Sequence, residues 1–130
     1  MQAEKKGPLT DKDYIESLVK NLRLTRDEGI DAVMDKYHLD ALVAPTDSPA
    51  WLTDFVDGDH FLGGCSSLPA VAGYPHITVP AGFVFGLPIG ISFFGRAWSE
   101  PVLLKIAYGF EQTSKARRKP EFLPAVELKS

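Results

Sequence analysis

The chain of 130 residues carries 14 basic against 17 acidic side chains, a net charge of -3, so no overall positive field draws it to a nucleic-acid backbone. With 45% hydrophobic residues, the composition excludes disordered and low-complexity classes and fits one globular unit, which buries roughly two-thirds of its unfolded surface. The single cysteine, Cys65, excludes an internal disulfide and a zinc-ribbon spacing and agrees with a reducing compartment.

The N-terminal stretch MQAEKKGPLTDKDY has no apolar signal core, and no run reaches the roughly 20 apolar residues of a membrane span. A cytoplasmic chain with neither membrane nor nucleic acid as partner is expected. Thr10 and Asp13 form a variant capping box ahead of Ile15, Leu18, Val19 and Leu22, the i, i+3, i+4, i+7 spacing of an amphipathic helix. Thr25 and Glu28 repeat the box ahead of Ile30, Val33, Met34 and Tyr37, predicting a second helix that either starts anew or continues the first, with Gly29 weakening its first turn.

Ala41 to Ala44 is a short apolar run between Asp40 and Pro45, which predicts a strand buried on both faces of an α/β sheet. Residues 46–64 then read as a long loop holding Trp51, Phe55 and Phe61 among aspartates. Long loops in compact domains are disproportionately functional, and these aromatics either join the core or line an apolar pocket. Ser66 and Ser67 are placed to cap a short helix through Leu68–Ala72, with Pro69 in its first turn and Gly73 as its stop.

Ile77 and Val79 alternate with His76 and Thr78, and Ile89, Ile91 and Phe93 with Gly90 and Ser92, the period of strands. Gly82 and Gly86 are expected to turn the chain between them, giving a hairpin or a pair of neighbouring strands. Gly90 and Ser92 leave one face of the second strand nearly bare, which permits close approach of another backbone, a helix or a ligand. Ser99 and Pro101 open a last helix with Leu103, Ile106, Ala107 and Phe110 on one side. The basic run Lys115 to Lys119 follows at its C-terminal end, where cations complement the dipole, and residues 120–130 read as an extended tail. The order is α-α-β-loop-α-β-β-α in a single unit, 1–130.

Four short patterns carry candidate chemistry, and each has an ordinary reading. Ser17 and Lys20 match the S-x-x-K of acylating serine enzymes, but neither companion motif follows and a surface lysine explains Lys20. Cys65 precedes a helix start, with His60 and His76 as possible bases, although no third group is visible to orient either. The stretch DFVDGDH, with Asp54, Asp57, Asp59 and His60, departs from a calcium loop and suits a turn around Gly58. Finally, GGCSS at residues 63–67 lacks the lysine of a phosphate-binding loop. No catalytic residue and no metal ligand is assigned.

Taken in order, E-G-I-D at Glu28 to Asp31, L-D-A-L-V-A-P-T at Leu39 to Thr46, A-G-Y-P-H-I-T-V-P-A-G-F at Ala72 to Phe83, G-L-P-I-G-I-S-F-F-G-R at Gly86 to Arg96 and L-L-K-I-A-Y-G-F-E-Q at Leu103 to Gln112 give a pattern that resembles the C-terminal part of amidase signature family enzymes. The resemblance runs from about Leu9 to Leu123. It implies helices packed on a mixed twisted sheet, and an enzyme that hydrolyses amide bonds with a serine nucleophile, a second serine in a cis peptide and a lysine, without cofactor or metal. In the family those three residues lie upstream, in a lysine-bearing segment and a glycine- and serine-rich signature; neither is present here, so none is carried over.

What the resemblance implies for this chain is a scaffold and substrate-pocket portion, inactive alone. Its partner would be the N-terminal catalytic portion of the same enzyme, its substrate a small amide, and the helix near Thr10 would lie mid-protein. The loop from Thr46 to Phe61 would face the substrate entrance, making Trp51, Phe55 and Phe61 the pocket candidates. The alternative is a non-catalytic interaction module that self-associates through exposed sheet edges or pairs with a separate N-terminal half. A small thiol enzyme built on Cys65 is a third reading.

Overall fold

The computed structural model describes residues 7–120. The first helix, α1 (Lys12–Thr25), runs through one π-helical turn, Arg26–Ile30, into α2 (Asp31–Tyr37). The two expected helices are therefore continuous, and neither capping box forms. The first N-cap is Asp11, without a side-chain bond, and the Thr25 hydroxyl donates back to the Asn21 carbonyl at 2.7 Å inside the helix. A hydroxyl that satisfies itself within its own turn has no free backbone donor to cap. Gly29 is needed by the wide turn: a Cβ there would sit 2.7 Å from the Leu24 carbonyl oxygen. His38, at φ 52°, closes α2 in the left-handed conformation.

The strands β1 (Leu42–Pro45), β2 (His76–Val84) and β3 (Leu87–Phe94) form one sheet in the order β1-β3-β2, with both pairings antiparallel. Between them lies α3 (Ser67–Ala72), stopped by Gly73 at φ 65° as the sequence predicts. The β2–β3 hairpin turns on Phe85 and Gly86, at φ 51° and 80°, the positive pair of a type I′ turn. Gly82 is not a turning point. It follows a shift of register between Pro80 and Gly82, where Ala81 is the extra residue of a β-bulge.

The expectation of a strand buried on both faces at Ala41 to Ala44 is corrected. The strand is displaced by one residue, and Val43 is 60% exposed. Its only partner among the described residues is β3, which leaves β1 at the sheet's edge.

The last helix, α4 (Glu100–Ser114), lays Leu103 and Ala107 on one sheet face against Val79 and Phe93. Phe93 meets Phe110 edge-on at 5.9 Å. On the opposite face Ile30, Met34 and Ala72 close over Phe94, with Leu42 and Ala44 packed alongside. Each fully buried Leu or Phe side chain stabilises such a layer by about 1.5–3 kcal/mol. The result is the expected α/β class, helices on both faces of an antiparallel sheet. Among the described residues no helix is long and apolar enough to cross a membrane. The expected tail lies outside the described residues beyond Pro120.

Candidate functional site

Gly90 and Ser92 stand on the sheet face that also carries Phe94. Ser92 pairs with Ala44 on one side and Thr78 on the other. Thr46, just past the end of β1, continues the ladder by donating its N–H to the Gly90 carbonyl at 3.0 Å. This register gathers three hydroxyls. The Oγ of Ser92, a fully buried residue, lies 2.8 Å from Thr46 Oγ1 and 2.8 Å from Thr78 Oγ1. A Cβ on Gly90 would fall 2.6 Å from Thr46 Oγ1 and 2.9 Å from Thr78 Cγ2. The bare strand face is thus used for close approach, by the two threonines.

The two threonines border a cleft of about 480 Å³, walled by Asp47, Ser48, Trp51, Pro88 and Ile89. A second cleft, of about 750 Å³, adjoins it through Ala50 and Trp51, which line both. Its wall includes Phe55, Val56, His60, Phe85 and Leu87. Of the three pocket candidates, Trp51 stands between the clefts, Phe55 lines the larger, and Phe61 lines neither but packs on Trp51 with ring centres 6.1 Å apart. Phe85 went unnoticed in the sequence. Its signal is an F-G pair where a two-residue hairpin turn favours N-G.

The loop is pinned at its base, where Asp47 bridges Gly64 and the Cys65 N–H donates to the Thr46 carbonyl at 3.2 Å. At its tip the Asp54 carboxylate accepts the N–H groups of Val56 and Asp57 at 2.8 and 3.0 Å. Those two bonds hold its carboxyl below the usual carboxylate range. DFVDGDH is therefore a turn, closed by Gly58 at φ 83°. Cys65 Sγ lies 3.7 Å from His76 Nε2, so that pair does meet, whereas His60 is in the larger cleft. No carboxylate bonded to His76 is found among the described residues. Ser17 and Lys20 are both exposed on α1.

The E-G-I-D and G-R segments have a structural use. Arg26 donates to the Ala72 carbonyl at 2.6 Å and lies over the Tyr74 ring at 5.1 Å. Tyr74 donates its hydroxyl to Asp31 at 2.7 Å, and Arg96 reaches Asp35 at 2.8 Å. Burial, then the bond to Asp31 and its charge, push the Tyr74 phenol up to about 12. In the basic run, Arg118 sits over the Phe83 ring at 4.5 Å.

No family model matches the chain. A probable amidase of Arabidopsis thaliana is 38% identical over 109 residues, covering 82% of this chain and 18% of its own length. A glutamyl-tRNA(Gln) amidotransferase subunit of Methanosarcina barkeri is 35% identical over 118 residues, 85% of this chain and 24% of the relative. Among solved structures, the native peptide amidase of Stenotrophomonas maltophilia has a TM-score of 0.83 at 47% identity, over 92% of this chain and 24% of that one. The chain spans about a fifth to a quarter of the length of these relatives.

Proposed function

The chain belongs to the amidase signature family, and from that premise we propose that it is the C-terminal scaffold and pocket portion of an amide hydrolase, without amidase activity on its own. The observation that carries this reading is the asymmetry of coverage: nearly all of this chain matches about a quarter of a peptide amidase. Amide hydrolysis through an acyl-enzyme needs a nucleophile, a proton-transfer partner and oxyanion donors acting together. Residues 7–120 bring no such set to either cleft. Their contribution is a rigid antiparallel floor and an aromatic wall of Trp51 and Phe55, with Phe61 behind it, against which a small amide is held and from which water is excluded.

The catalytic groups come from the N-terminal portion of the same enzyme, and this chain adds no cofactor. The purified chain is expected to release no ammonia from primary amides above the buffer rate. Release that survives repurification and disappears on a single substitution within residues 7–120 would overturn the reading. An antibody against the chain should detect, in source cells, a polypeptide several times larger than 14.3 kDa. A band near that mass would instead point to a separately made module that pairs with another chain.

A further inference from the structure

We propose that Thr46 and Thr78, linked through Ser92, form a hydrogen-bond-donor subsite for the carbonyl oxygen of a neutral amide ligand, with Trp51 against the ligand's apolar part. The proposal rests on the amide-hydrolase reading and names the residues of this chain that would orient the amide.

Donor counting carries it. Three hydroxyls hold three hydrogens, but only two hydrogen bonds join them. The central Ser92 is 0% exposed and has no other partner for its side chain among the described residues. A buried O–H left unused is costly, so Ser92 donates to one threonine and accepts from the other. The threonine that accepts keeps its own hydrogen, and both threonines line the 480 Å³ cleft. One O–H donor is therefore left over at the cleft wall. Concerted rotation of the hydroxyls moves it between Thr46 and Thr78 without breaking the chain of bonds.

The remaining wall selects the ligand's charge. Asp47 is acidic, and among the described residues no lysine, arginine or histidine lines this cleft, so a carboxylate or phosphate meets repulsion from Asp47. A neutral carbonyl accepts the spare hydrogen without that penalty. The volume is that of a small-molecule site, typically about 300–1,000 Å³.

The test is an NMR titration of the isotopically labelled 130-residue chain with N-acetylalaninamide and, separately, with N-acetylalanine as its carboxylate counterpart. The amide is expected to shift the backbone signals of Thr46, Thr78 and Gly90 and the Trp51 indole. The carboxylate should bind at least about tenfold more weakly, and the double variant Thr46→Val, Thr78→Val should lose about tenfold in amide affinity, the scale of one hydrogen bond. Single variants Thr46→Val and Thr78→Val, each of which still leaves a hydroxyl pair with a spare hydrogen, should lose less than the double variant. Overturning results are shifts centred on Phe55 and Phe85 in the larger cleft, no shifts at saturating amide, or equal affinity for both ligands. Wild-type affinity in a double variant with a native-like spectrum would also overturn it. None of these depends on turnover, so the subsite can fail while the hydrolase reading stands, and ammonia release by the chain alone would sink that reading wherever the amide binds.

Discussion

Tyr74 ties three segments together through one hydroxyl and one ring face, and its titration should be visible. The phenol donates to Asp31 and lies under Arg26, and its pKa is pushed up to about 12 from an ordinary value of about 10. An acid that holds its proton more tightly when folded stabilises the fold fully below its unfolded pKa. The contribution is then lost as pH rises from about 10 through about 12. The other tyrosines, Tyr14, Tyr37 and Tyr108, are exposed. Absorbance at alkaline pH should show a late-titrating phenol that disappears in Tyr74→Phe. The same variant leaves Asp31, one of whose oxygens is already buried without a partner, lacking its donor. A loss of about 1–3 kcal/mol in urea unfolding at neutral pH is expected. An unchanged midpoint and an unchanged pH profile would mean that the Tyr74–Asp31 bond contributes nothing.

At the scale of elements, the β2–β3 hairpin shows what periodicity reveals and what it conceals. Alternation places both strands, and Gly86 marks the turn, because a two-residue turn with positive φ needs glycine at one centre. Phe85 takes the other centre at φ 51°, a conformation that costs a bulky residue about 1–2 kcal/mol, while its side chain lines the larger cleft and stays 66% exposed. Phe85→Asn is expected to raise stability by about 0.5–1 kcal/mol, read as a higher urea midpoint, since asparagine tolerates this region. A lower midpoint would mean that the ring's contacts in the cleft outweigh the strain.

Gly82 misleads because a bulge and a turn ask for the same residue type. The capping boxes mislead because a π turn lets one helix run through a sequence that signals a new start. Along the chain, Thr46 and Ser92 are far apart, and no local period reports a pairing that only the β1–β3 register creates. The ordered family motifs imply helices packed on a sheet, yet carry no information on which hydroxyls meet.

At the scale of the whole molecule, the described residues form two thin cores, one on each face of a three-stranded sheet. Ile15, Leu18 and Val19 on α1, Leu104 and Tyr108 on α4, and Trp98 at 88% remain exposed. Surfaces of this kind are covered by further chain in a larger fold or drive association when they are left bare. The two sheet edges differ in what they invite. Along β2, Pro80 removes a backbone donor, and the bulge at Ala81 breaks the ladder, both of them devices that blunt an edge. β1 has neither in its centre: Leu42, Val43 and Ala44 offer an uncharged edge with Val43 60% exposed.

If residues 1–130 are made alone, association through β1 is therefore expected, visible as a concentration-dependent rise in mass by sedimentation. Val43→Lys should weaken it by at least about tenfold, because two symmetry-related lysines would face each other across the new pairing. Fold stability should change by no more than about 0.5 kcal/mol, since the side chain is on the surface. Association that persists undiminished in Val43→Lys would move the contact to the bare faces of α1 and α4. A strict monomer at high concentration would mean that the open β1 edge does not pair with a second copy of this chain.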